Sequence, residues 1–257
     1  MYPAFELFGK TIPTYWLCML IGIAACSIVA FIRRKRFKEL QQVDITNLAA
    51  LLFIGALIGS RLLFLITISP IIVENFDVLI HNKSLAYELL SNGMVFYGGM
   101  LGALFVLYRY SRKYELDVKT VIDYFVPLFP LFHCFGRIGC FFTGCCHGIV
   151  SENFGICYEH SVVSPNGMPY FPIQLVGSAL NILLFIALIL FERKHHKQGY
   201  SVYAYLGTYA IGRFIIEFFR GDAVRGFFLG VSTSQWISIF ILAVLVYKLV
   251  RYYRKKA

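Results

Sequence analysis

Seven apolar segments can be read along this chain by their length and flanks. They run at about Pro13–Ile32, Asn47–Ile68, Gly93–Tyr110, Val118–Phe142, Ile173–Phe191, Tyr200–Phe219 and Ser234–Val250. Stretches of about 20 apolar residues match the hydrocarbon thickness that an α-helix crosses. The pattern therefore predicts an all-α polytopic membrane protein: seven transmembrane helices in a single integral membrane domain over residues 1–257. The third segment is short, and the fourth and sixth contain charge. The long connections fall at about 69–92, 143–172 and 220–233. The middle one is rich in Gly, Pro, Asn and Ser without a helical period, and is read as an extended outside loop.

Composition agrees with this solvent. The chain is 58% hydrophobic and 15% charged, with a mean hydropathy of +0.68, too apolar for one globular core to hide. The net charge of +10 does not indicate nucleic acid, because Lys and Arg sit in short runs beside the apolar segments. Seventeen of the 24 basic residues lie after segments one, three and five or in the C-terminal tail. That bias predicts an outside N-terminus and a cytoplasmic C-terminus. The first apolar run is preceded by one Lys and followed by four consecutive basic residues, the reverse of a cleavable signal peptide.

Three arginines, Arg61, Arg137 and Arg213, sit inside apolar segments. A charge there costs about 2.5–3.5 kcal/mol or more on insertion scales, and such residues mark functional pathways. The predicted topology brings them, with Tyr15 and the Tyr97-Gly98-Gly99 sequence, to the outer half of the bilayer. Arg213, Glu217 and Arg220 follow i, i+4, i+7 and are expected on one helix face, as are His133, Arg137 and Cys140. Glu217 can hold a guanidinium by a bidentate pair. Several arginines at one depth suit a phosphate, and a phospholipid head group is the phosphate available there.

Five of the seven cysteines fall in one stretch: Cys134, Cys140, Cys145, Cys146 and Cys157. No C-x-x-C spacing is present, so no metal is expected. A disulfide on the outer face is open, with Cys140, Cys134 or Cys157 as candidate partners. The cluster keeps alive a thiol-redox or metal-handling protein, and the arginines a non-catalytic phospholipid-binding protein.

Gly136-Arg137-Ile138-Gly139 through Gly148, Phe96-Tyr97-Gly98-Gly99-Met100 and Gly212-Arg213-Phe214-Ile215-Ile216-Glu217-Phe218-Phe219-Arg220 together resemble the prolipoprotein diacylglyceryl transferase family. The likeness covers nearly the whole chain. It implies a multi-pass enzyme of the bacterial cytoplasmic membrane, without cofactor. Such an enzyme moves the diacylglyceryl group of phosphatidylglycerol onto a cysteine thiol of preprolipoprotein signal peptides and releases glycerol phosphate. It implies essential arginines at Arg137 and Arg213, a supporting one at Arg220, the first-span tyrosine at Tyr15 and the closing glycine at Gly148. Arg61, Gly98, Gly99, Cys140 and Glu217 complete the expected substrate-binding set. The family pattern has His where Tyr97 stands, Asn at Cys140 and Glu at Cys145, and the cysteine-bearing motif resembles a subgroup. Tyr97 would take the thiol proton only if nearby arginines lowered its phenol pKa from about 10.

Overall fold

The computed structural model describes residues 2–7, 9–37, 40, 45–91, 95–161, 163–194, 199–221 and 227–255. Its elements in chain order are β1 (Ala4–Leu7), β2 (Lys10–Pro13), α1 (Thr14–Arg34), α2 (Ile45–Glu74), α3 (Phe76–His81), α4 (Lys83–Ser91), α5 (Phe96–Lys113), α6 (Val118–Phe125), α7 (Leu128–Thr143), β3 (Ile156–Cys157), β4 (Pro169–Tyr170), α8 (Ile173–Lys194), α9 (Tyr200–Glu217), β5 (Phe227–Phe228), β6 (Val231–Ser232) and α10 (Thr233–Arg254). Among the described residues the strands pair only as two-stranded antiparallel ladders, so the architecture is all-α. Among the described residues, five helical stretches are long and apolar enough to cross a membrane: Thr14–Arg34, Ile45–Glu74, Val118–Thr143, Ile173–Lys194 and Thr233–Arg254. The other two predicted segments form 18-residue helices, α5 and α9.

Two features differ from the sequence reading. The fourth segment is broken into α6 and α7 at Val126-Pro127. Pro127 has no N–H to continue the ladder and disfavours helical backbone at the residue before it. The 69–92 connection is largely helical: α2 continues through Pro70 to Glu74, and α3 and α4 follow. The expected start of the third segment at Gly93 lies outside the described residues.

The chain forms two compact units, Met1–Arg33 with Ile122–Ala257, and Arg34–Val121. The first is inside-out relative to a water-soluble protein. Leu20, Phe31, Leu183 and Phe240 are exposed, while Gln174, Ser178, Asn181, Glu192 and Gln235 are buried. Where lipid replaces water, polar groups find partners only inside. In this unit α1 packs on α7 through glycines. A Cβ at Gly22 would lie 3.0 Å from Phe135 Cβ, and one at Gly139 2.8 Å from Tyr15 Cδ2.

One buried ion pair ties three helices of this unit together. Arg33, read from sequence as a loop charge, is only 8% exposed. Its guanidinium donates to Glu192 Oε2 at 2.8 Å, Tyr124 O at 2.7 Å and Asp123 O at 3.2 Å. Removing one partner of a buried pair strands the other charge and costs about 3–5 kcal/mol. Glu192→Ala is expected to lose that much, read as a fall in the thermal unfolding midpoint in detergent. An unchanged midpoint would show that the clasp carries no stability.

In the second unit, α2 and α5 pack backbone to backbone. Gly55 and Gly59 on α2 face Gly98 and Gly102 on α5, two small-x-x-x-small pairs. A Cβ at Gly98 would collide with Gly59 O and come 2.6 Å from Leu63 Cβ. Val95 N donates to Ser60 O at 3.3 Å, joining the helices just before α5 begins.

Candidate active site

The site in the first unit starts from the end of α7. Gly144 closes the helix in the left-handed conformation, φ 75°, and its N–H donates back into the last turn. Glycine is required here by space as well as torsion, since a Cβ would collide with the Ser161 side chain. Cys146, two residues on, is also left-handed at φ 55°. Such a torsion costs a side chain about 1–3 kcal/mol and persists only where surroundings enforce it. Here they do: Ser161 Oγ donates to Gly144 O at 3.1 Å, Ser164 Oγ donates to the same oxygen, and Gln174 Nε2 donates to Cys145 O at 2.8 Å. Gln174 is itself fully buried at the start of α8 and hydrogen-bonded to Tyr158.

This reversal brings three sulfurs together. The Sγ atoms of Cys140, Cys145 and Cys146 lie within 4.8 Å of one another. All seven cysteines are free thiols, so none of the disulfides left open by the sequence is formed. Hydrogen bonds from Cys140 and Cys145, with the adjacent Arg220 guanidinium, outweigh burial and hold the Cys146 thiol well below its usual range. Hydrogen bonding to Cys140 and Cys146, with burial, pushes Cys145 up. The C-x-x-C template missed the group, because the chain reversal at Gly144 sets sulfurs five and six positions apart side by side.

Gly148 joins the reversal to the end of α9. It forms an antiparallel bridge with Arg220, with Ile149 N donating to Phe219 O at 3.0 Å and Gly221 N to His147 O at 3.2 Å. A Cβ at Gly148 would collide with Phe171 O and lie 2.9 Å from Phe219 O. Arg220 is therefore not on the Arg213–Glu217 face, as its i+7 spacing predicted. The helix ends at Glu217, and Arg220 is carried past it to Cys146.

The arginines come from α7 and α9. Arg213 Nη2 pairs with Glu217 Oε2 at 2.8 Å, the expected i, i+4 clasp, and donates to Ser234 Oγ at 3.0 Å. Ser234 is fixed by a capping box at the start of α10, in which Ser232 Oγ accepts from Gln235 N and Gln235 Oε1 accepts from Ser232 N. Arg137 crosses α8 at Gly177, where a Cβ would lie 3.1 Å from Nε. No carboxylate pairs with Arg137 among the described residues. His133 lies within electrostatic reach of both Arg137 and Arg213 and shares a hydrogen bond with Asn181. Cys140 in turn feels Arg137, and Tyr15, packed on Gly139, feels the three clustered cysteines.

Of the sequence-predicted residues, Tyr15, Arg137, Cys140, Gly148, Arg213, Glu217 and Arg220 are thus connected within the first unit. Arg61, Gly98 and Gly99 belong to the second. There Gly98 packs α5 on α2, a Cβ at Gly99 would lie 3.2 Å from Ala56 O, and Arg61 Cζ lies 5.5 Å from the Phe64 ring centroid. Tyr97 is the second residue of α5, and its side chain lies outside the described residues.

The family model described as prolipoprotein diacylglyceryl transferase matches residues 3–251. The chain belongs to that family. A phosphatidylglycerol–prolipoprotein diacylglyceryl transferase of Clostridium tetani is 34% identical over 251 residues, 96% of this chain and 97% of the relative. A second, of Clostridium perfringens, is 32% identical over 247 residues, covering 95% and 93%. One from Pseudomonas aeruginosa is 30% identical over 229 residues, covering 88% and 81%. Against this diacylglyceryl transferase frame, the sequence reading passed over Gly177, Gln174 and Ser234, which make room for or fix the motif residues. A signal for the first was present: Gly177-Ser178 and Asn181 form a small and polar face in an otherwise apolar helix.

Proposed function

We propose that this chain transfers the diacylglyceryl group of phosphatidylglycerol to the cysteine thiol of a preprolipoprotein signal peptide, releasing glycerol phosphate. The observation that carries the reading is that two guanidiniums from different helices, Arg137 seated over Gly177 and Arg213 held by Glu217 and Ser234, both lie within electrostatic reach of His133. The names and coverage of the relatives support the same activity. In the reaction the thiolate sulfur attacks the glycerol CH2, a C–S bond forms, and the C–O bond to phosphate breaks with its electron pair on the departing oxygen. The thiol's proton ends on the released phosphate or in water. Arg137 and Arg213 offset charge developing on that phosphate, where fixed donors in a dry site are most effective. Glu217 and Ser234 fix the Arg213 fork, and Arg220 adds charge beside the thiol cluster. Tyr15 lines the α1 side. Arg61 enters as a charge inside an apolar segment, and Tyr97, Gly98 and Gly99 on sequence resemblance, with Tyr97 as candidate proton acceptor.

The membrane placement is part of the proposal: seven spans in one domain, N-terminus outside, C-terminus inside, in the bacterial cytoplasmic membrane. The asymmetry of Lys and Arg supports that orientation, and residues 143–172 would then face outward. The test is direct. Purified protein, phosphatidylglycerol and a peptide carrying a lipobox cysteine are incubated, and the peptide is weighed by mass spectrometry. A mass gain equal to one diacylglyceryl group, absent when the cysteine is replaced by serine, is expected. Lipid binding without that gain would leave a non-catalytic phospholipid-binding protein.

A further inference from the structure

We propose that Cys140, Cys145 and Cys146 are the three protein ligands of a thiophilic cation, of which Zn²⁺ is the type, and that its fourth position takes the acceptor's cysteine thiol. The second half of this proposal rests on the transfer reading above. Zinc–thiolate bonds of about 2.3 Å at tetrahedral angles put sulfurs about 3.8 Å apart. The three Sγ atoms already lie within 4.8 Å of one another, so closing on an ion needs movements of about 1 Å or less. A disulfide needs about 2.0 Å and would leave an odd thiol in the group. The ligand loop is held before any ion arrives: Ser161, Ser164 and buried Gln174 hydrogen-bond the Gly144 and Cys145 carbonyls. Left-handed torsions at Gly144 and Cys146 turn the chain back on α7.

Ligand count and charge say what the site does. Among the described residues no fourth His, Cys, Asp or Glu joins the group. Three protein ligands with an open fourth position is the pattern of a catalytic rather than a structural zinc site. A divalent ion with three thiolates carries one negative charge, and a fourth thiolate makes it two. Arg220 beside Cys146 and Arg137 beside Cys140 offset that charge. An acceptor thiol entering the fourth position loses its proton to water, because only the thiolate is a good ligand. The metal-bound sulfur then attacks the glycerol carbon, the C–O bond to phosphate breaks, and the metal keeps its oxidation state. The nucleophile is thereby generated beside the phosphate-binding arginines without a separate base.

The experiment uses the full-length protein in detergent, reduced, chelator-stripped and titrated with Co²⁺. One equivalent of cobalt should bind, giving a thiolate-to-cobalt charge-transfer band and visible bands of tetrahedral intensity. Cys140→Ser, Cys145→Ser and Cys146→Ser should each weaken binding by more than about tenfold. Cys157→Ser, at an exposed thiol in β3, should not. Circular dichroism checks that each variant keeps its helices. Adding the lipobox peptide should shift the spectrum, and its Cys→Ser form should not. Absence of the band in folded wild-type protein, or its persistence in all three variants, overturns the site. Full thioether formation by stripped protein overturns its catalytic use and leaves the transferase intact. Cobalt binding without thioether formation by zinc-loaded protein counts against the transferase reading, and with it the acceptor thiol as fourth ligand.

Discussion

Arg137→Lys is expected to lower the transfer rate by about 10²–10³-fold while leaving the fold intact, the loss typical when one donor to a developing oxyanion is removed. Lysine keeps the positive charge, so simple charge neutralisation predicts a mild effect. The larger loss is expected because a guanidinium presents a planar fork that matches two phosphate oxygens, whereas an ammonium offers a flexible point charge. Arg137 is the sharper position for this test. Its Nε lies over Gly177, where any side chain would crowd it, and no carboxylate among the described residues holds it. Arg213 is held by Glu217 and Ser234, so Arg213→Lys should also lose rate. Steady-state kinetics on the peptide should show kcat falling more than KM rises, because the interaction strengthens as charge moves onto the leaving oxygen. A tenfold loss or less in Arg137→Lys would mean that charge alone suffices.

Gly148→Ala is the second large effect, and it works through the backbone. The added Cβ meets the carbonyl oxygens of Phe171 and Phe219, and neither can rotate aside as a side chain would. Overpacking of this kind costs about 1–3 kcal/mol, occasionally more. Local damage matters more than the total: the Gly148–Arg220 bridge and the Ile149–Phe219 hydrogen bond must open. Arg220 then leaves Cys146, and the join between α7 and α9 loosens. Transfer is expected to fall below detection while circular dichroism still reports the helices. Gly212→Ala is the matched control, because a Cβ there meets nothing within 4 Å although Arg213 is the next residue. Equal activity in the two variants would show that the crowding at Gly148 is harmless.

Much of this was legible in the sequence, for identifiable reasons. Long apolar segments announce themselves because lipid demands continuous apolar surface, and α1, α8 and α10 fall close to their expected positions. The Arg213–Glu217 pair follows from helical spacing and is formed. Chain reversals were less legible. Arg220 was placed on the α9 face because nothing local marks Glu217 as the last helical residue; the bridge to Gly148 does so from 72 positions away. Arg33 was counted with its basic neighbours as a topology signal, yet Glu192, distant in sequence, draws it inside. Gly98 was read as a ligand contact, whereas with Gly102 it also lets the backbone of α5 touch that of α2 at Gly55 and Gly59. In each instance the missing information was a long-range partner.

The account stands on Arg137 and Arg213 acting on one phosphate, and a double-mutant cycle on transfer rate measures this most directly. Rates are taken for the wild type, Arg137→Lys, Arg213→Lys and the double variant under one set of lipid and peptide concentrations. If both guanidiniums grip the same group, the double variant loses much less than the product of the single losses, a coupling of about 0.5–3 kcal/mol. Losses that simply multiply would show two independent sites and contradict the shared-phosphate account.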